Sequence, residues 1–190
     1  MRKIKKNHPL PVFLTLAVFS LGILAACGGG GGSSITLAER ELELGRHVVK
    51  GMLPDWPDHP RGYGFALSED FDDISDVIKL SVRFLAHGGT GYDQEKLMEE
   101  LKSKKETELE IGVPELVKDI YEIKPGIWSF VVMREGFTVE GESEYTIHVL
   151  HLPEKDEEPG LLCQGQARFD HAKKWQEIES ILAGITYSAK

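Results

Sequence analysis

At 190 residues, with 41% hydrophobic and 28% charged side chains, the chain has the composition of a folded protein of about one domain, not of a disordered or fibrous one. Its 31 acidic residues against 22 basic ones give a net charge of −9, which opposes contact with phosphate backbones and excludes nucleic acid as a partner. Two cysteines cannot build the disulfide framework on which small secreted domains depend.

The chain opens with Arg2, Lys3, Lys5 and Lys6 ahead of an apolar run from Leu10 to Ala26, the order of a secretory signal in the positive-inside orientation. At about 17 residues the run is at the lower limit for crossing a bilayer, so cleavage is expected. An uncleaved anchor, or an ordinary signal peptide with a chance cysteine, is the alternative. Leu24-Ala25-Ala26-Cys27 resembles the bacterial lipobox. That resemblance implies removal of residues 1–26 and a diacylglycerol on Cys27, which supplies the two chains that stable anchoring needs. Residues 27–34, the cysteine with five glycines and two serines, then form a flexible tether. Gly28, where an aspartate would retain the protein in the inner membrane, resembles the outer-membrane pattern of a host with two membranes, with the protein facing the periplasm.

Loss of the leader takes four basic residues and no acid, leaving 18 basic against 31 acidic residues and a net charge of −13. Membrane contact is then expected from the lipid alone, and a basic protein partner would suit the surface. Residues 35–190 are of the size of a single domain with a real core.

Ile35 to Leu42 is compatible with a short helix and Arg46 to Leu53 with a strand. Pro54 to Gly62 has three prolines in seven positions, which predicts a loop. Ile78, Leu80, Val82 and Phe84 alternate with polar residues and predict a strand over Val77 to Leu85. After a turn at His87 to Gly91, Asp93 caps a helix from Gln94 to Glu110 whose thin stripe of Leu97, Met98 and Leu101 places it outside a sheet. Strands follow at 116–123, 127–134, 137–140, 145–152 and 161–169, with Pro125-Gly126 suited to a type II turn. Asp170 caps a closing helix whose Trp175, Ile178, Ile181 and Leu182 form a core stripe, with Gly184 as its stop. The order predicts an α+β domain, an antiparallel meander with helices packed on it.

Chemistry is hard to find in this pattern. His148 and His151 have opposite parity in a strand and so face opposite sides of the sheet, which argues against a shared metal. His47, His59, His87 and His171 show no ligand spacing, and no metal or cofactor is expected. Gly141 to Tyr145 lacks the second glycine of a nucleophile elbow and reads as a hairpin. Cys163 is expected to be a buried structural thiol. Gly88 to Gly91 lacks the lysine and spacing of a phosphate loop. In the proline-rich segment, Trp56, His59 and Arg61 stand out as candidate partner contacts, the other reading of Trp56 being a lid folded on the core.

Gly45 to Pro54 ahead of Gly62-Tyr63-Gly64, the strand Lys79 to Phe84, the charged helix with Leu97, Leu101 and Glu106 to Glu110, and the closing segment Trp175 to Ile185 together resemble the immunity lipoproteins that neutralise phospholipase effectors of type VI secretion, the Tli type. The resemblance implies a non-enzymatic inhibitor that covers the active-site mouth of a basic lipase, on a single Mog1/PsbP-like domain. The alternative is a small envelope lipoprotein of Mog1/PsbP-like fold that serves as an assembly or accessory module. A lipid-tethered hydrolase is the reading with least support. Cys27→Ser is expected to abolish incorporation of labelled fatty acid; equal label in the variant would remove the lipid anchor from the account.

Overall fold

Two antiparallel sheets and two helices account for the described chain. The computed structural model describes residues 35–44, 46–56, 58–61, 64–68, 79–85, 93–135, 143–155, 158–168 and 175–190, with the backbone alone for 58–61, 64–68 and 79. All of these belong to one unit, Gly32–Lys190. In chain order the elements are β1 (Leu37–Leu44), β2 (His47–Pro54), β3 (Asp58–Arg61), β4 (Gly64–Ser68), β5 (Lys79–Leu85), α1 (Gln94–Leu109), β6 (Pro114–Lys124), β7 (Ile127–Arg134), β8 (Glu144–His151), β9 (Gly160–Ala167), α2 (Trp175–Ala183) and β10 (Thr186–Ala189). Three strands form a small sheet in the order β1-β2-β10, and seven form a large one in the order β3-β4-β5-β9-β8-β7-β6. The class is α+β, and β6 to β9 make the antiparallel meander that the sequence predicts.

Two segments depart from expectation. Leu37 to Leu44 is a strand, not a helix: Glu39, Glu41 and Glu43 point outward while Leu42 and Leu44 are half-buried. Its Ala, Leu, Glu and Arg favour helix as isolated residues, but all eight pair in register with β2, and that pairing outweighs propensities of a few tenths of a kcal/mol per residue. Asp58 to Arg61 is likewise a strand rather than a loop, although it contains Pro60. The proline is tolerated because β3 is the outermost strand, where an N–H is dispensable. The strands β4 and β10 carry too short a pattern to be anticipated. The leader, Cys27 and its tether, the glycine turn at 88–91, the strand expected at 137–140, the Asp170 cap, and His87 and His171 lie outside the described residues.

Local chemistry explains the elements that match. Asp93 caps α1 by accepting a hydrogen bond from the Glu95 N–H at 2.9 Å. Gly126 takes a φ of +76° in the β6–β7 turn, a conformation that a side chain would strain.

The large sheet is covered on both faces. One face carries Leu80, Val82, Val131, Ile147, Val149, Leu161 and Cys163, which pack with the Trp175, Ile178 and Leu182 stripe of α2 and with Val49 and Leu53 of β2. The other carries Phe130, Val132, Leu150 and Leu162 beneath Leu97 and Leu101 of α1. The expected core stripe of α2 is therefore buried throughout.

Close approach of helix to sheet depends on glycine. A Cβ on Gly165 would lie 2.5 Å from Ile178 Cγ2 and 3.3 Å from Leu182 Cδ1, whereas one on Gly51 would come no nearer than 3.5 Å to Ile185. Gly165→Ala is expected to force α2 off β9 and cost about 1–3 kcal/mol, as overpacking does. Gly51→Ala should change urea-unfolding stability far less. Equal stability of the two variants would show that helix–sheet contact does not require the glycine.

Candidate interaction site

Parity along β8 places His148 and His151 on opposite faces, and the structure keeps them there. His151 meets α2: its Nε2 lies 2.9 Å from the Leu182 carbonyl oxygen, which can only accept, so Nε2 carries the hydrogen and Nδ1 the lone pair. Burial, opposed by that hydrogen bond, holds its pKa down at about 4. The ring is therefore a neutral acceptor at Nδ1, which has no hydrogen-bond partner among the described residues.

His148 meets α1 instead. Its Nε2 is 2.9 Å from Glu108 Oε1, and its ring stacks on Phe130 at 4.7 Å. Burial depresses its pKa, with Glu108 pulling the other way. Burial alone would raise Glu108, but hydrogen bonds and charge from His148 and Arg134 outweigh it and hold the carboxyl at about 2. Arg134 also donates to the carbonyls of Glu108 and Ile111 at 3.0 and 3.2 Å and to Thr146 Oγ1 at 3.0 Å. Glu144, itself buried, pairs with Arg168 and stands 3.6 Å from Arg134. This network ties the C-terminal turn of α1 to β7 and β8. The sequence marks Glu108 only as part of the charged run Glu106 to Glu110 and Glu144 only as part of Gly141 to Tyr145, but Arg134 and Glu144 share inward parity with Phe130 and Leu150, and that is the signal which reveals them.

A smaller cluster serves α2, where Tyr121 Oη and Ser129 Oγ both donate to Glu179 Oε1. Cys163 is fully buried, and burial pushes its thiol far above the ordinary range, so it cannot act as a thiolate.

Trp56 is half-buried and packs against the main core, and its carbonyl, like that of Pro54, accepts from Arg40. It therefore serves partly as the lid. His59 and Arg61 belong to the edge strand β3, and their side chains lie outside what is described. Cys27 does also. No group of three or more metal-ligating side chains occurs among the described residues, and no helix among them is long and apolar enough to cross a membrane.

One cleft stands apart from these struts. It encloses about 430 Å³ between β10, the Pro125-Gly126 turn and the segment after β8, and His151, Glu154, Glu158 and Tyr187 line it. Burial and then the charges of Glu158 and Glu154 push the Tyr187 hydroxyl up to about 12, so it stays protonated.

No family model matches the sequence, and no curated protein matches it. Among solved structures the chain is similar to the Saccharomyces cerevisiae Ran-binding protein Mog1p, at 11% identity and a TM-score of 0.48, over 79% of this chain and 95% of that one.

A pH dependence follows from His151. Its folded pKa of about 4 lies below the ordinary 6.5, so as pH falls below 6.5 the unfolded chain takes a proton that the fold refuses. Stability is full above 6.5 and should decline by on the order of 3 kcal/mol by pH 4 from this residue, with His148 acting in the same direction. His151→Gln, which keeps a donor for the Leu182 carbonyl, should flatten that decline in urea titrations run across this range. An unchanged slope would mean that His151 is not its source.

Proposed function

We propose that this is a lipid-anchored envelope protein that works by binding, an immunity protein that neutralises a phospholipase effector of type VI secretion and catalyses nothing itself. The observation that carries the binding part is that most of the perturbed side chains among the described residues are engaged inside the fold, while two others, His151 and Tyr187, line an acidic cleft. Glu108, His148 and Tyr121 are engaged in hydrogen bonds within the domain, and Cys163 is sealed in the core. Groups so engaged are struts, because a catalyst must present such atoms to substrate.

The finer assignment draws on the lipobox-like Leu24 to Cys27, on the likeness of Gly45 to Pro54 and the closing helix to the immunity lipoproteins, and on charge. With 31 acids against 18 bases beyond the leader, the surface would attract a basic toxin at long range and speed encounter. Glu39, Glu41 and Glu43 line up on the outward face of β1, where Glu41 and Glu43 pair with Lys50 and Lys190. Trp56, His59 and Arg61 stay in the proposal as contacts near the β3 edge.

The test is capture followed by inhibition. The full chain, isolated with its membrane partners, should bring down a basic protein that hydrolyses phospholipid alone and stops when the chain is restored in stoichiometric amount. Association should slow as salt rises from low to physiological ionic strength. A captured partner with no hydrolytic activity would favour the envelope accessory module instead, and phospholipid hydrolysis by the chain itself would overturn the reading.

A further inference from the structure

The cleft beside β10 differs in chemistry from every other polar cluster described. Its wall is the whole of Thr186 to Ala189, and among the described residues β10 is the last strand of its sheet and pairs with β2 alone. Among the described residues no backbone group of β10 is paired on the cleft side. An unpaired strand edge offers alternating donors and acceptors, a template for an added strand.

The charged side chains around that edge accept, beside the Thr186, Tyr187 and Ser188 hydroxyls, which can donate or accept. Glu154 has no ion pair among the described residues, and Glu158 has only Lys155 at 4.0 Å, a pair that is largely exposed and weak. His151, 5% exposed, adds a neutral ring whose Nδ1 is unpartnered, fixed in that tautomer by the bond from Nε2 to Leu182. Tyr187 places an aromatic ring there, itself edge-on to Phe84 at 5.5 Å. Lys124 is near enough to bear on His151 but does not line the space. Two carboxylates, an imidazole lone pair and an aromatic ring fit a guanidinium or ammonium group, which brings donors and positive charge together.

We infer that the cleft receives a short extended segment of a basic partner protein, which adds as a strand along β10 and places a lysine or arginine between Glu154, Glu158 and His151. The size agrees: about 430 Å³ is within the range of small binding sites, and four strand residues extend roughly 13 Å. This rests on the reading of the chain as a binder of a basic protein, and it specifies where and by what chemistry.

The probe is the blocked tripeptide acetyl-Val-Arg-Val-amide, titrated into the isotope-labelled full chain in detergent micelles while the amide resonances of Thr186 to Ala189 are followed. Saturable shifts confined to β10 and the cleft are expected. Replacing arginine by isosteric citrulline, or Glu154 and Glu158 together by Gln, should weaken binding by about tenfold or more. N-methylating the peptide backbone should abolish it. Three results would overturn the proposal: no saturable shift up to roughly 10 mM peptide, equal affinity for the citrulline peptide, or no effect of the double substitution. A concentration-dependent dimer that the peptide disperses would assign the edge to a second copy of this chain, which also overturns it. Should the peptide fail while the full chain still stops a captured phospholipase, the cleft assignment alone is lost. Should the peptide bind while no phospholipase is ever captured, the immunity reading alone is lost.

Discussion

Covering the large sheet on both faces is the constraint from which most of this structure follows. Seven of the eight residues of β8 are buried, the even-numbered ones beneath α1 and the odd-numbered ones beneath α2 and β2. A strand so placed has no wet side on which to put a polar group. Each one it carries must find its partner inside, since an unmet buried group costs about 1–3 kcal/mol. Glu144, Thr146, His148 and His151 are all in that position, and each has a partner on a neighbouring element, although the buried His148 Nδ1 has none among the described residues. The same contacts fix where the helices sit, because Arg134 and His148 hold the end of α1 while the Leu182 carbonyl accepts from His151. Removing one member of such a buried pair typically costs about 3–5 kcal/mol, more than the pair adds over an apolar substitute. The network therefore favours one placement of α1 more than it raises stability.

Much of the architecture is legible in the order of residues. Alternation in Leu80, Val82 and Phe84, the Pro125-Gly126 turn, the Asp93 cap and the Trp175 stripe each express one local rule, and each element appears where that rule puts it. Failures arise where a non-local pairing decides. In Leu37 to Leu44 the residue types favour helix, and only the presence of β2 across eight paired positions makes it a strand. Asp58 to Arg61 reads as a loop because Pro60 cannot sit inside a sheet, and nothing nearby in sequence says that this strand is at an edge.

The candidate site is less legible than the fold for a related reason. Parity alone separates His148 from His151, but their partners lie 40 and 31 residues away, on helices whose placement depends on the packed whole. In the sequence, Glu154 and Glu158 are two of the four acids among residues 154–158, between the strands expected at 145–152 and 161–169, with no special standing. They become distinctive only because β10, a strand too short to recognise, returns to the same place and brings Tyr187 with it.

The two ends of the sheet put the same chemistry to opposite use. At the Arg134–Glu144 end, the carboxylates of Glu108 and Glu144 are enclosed and met by Arg134, Arg168 and His148. At the Ile127–His151 end, Glu154 and Glu158 face a cleft with one distant lysine between them, beside a histidine whose free nitrogen can only accept. Glu154 is exposed and Glu158 only half-buried, so water can meet both carboxylates until a ligand enters. A cation entering there meets two carboxylates and an imidazole lone pair, and the charges of Glu154 and Glu158 disfavour an anionic ligand. Preference for a cation at this end thus comes from the fixed His151 tautomer and from two carboxylates whose ion pairing among the described residues is limited to the exposed, weak contact with Lys155, while the long-range acidic field acts on the rate of approach.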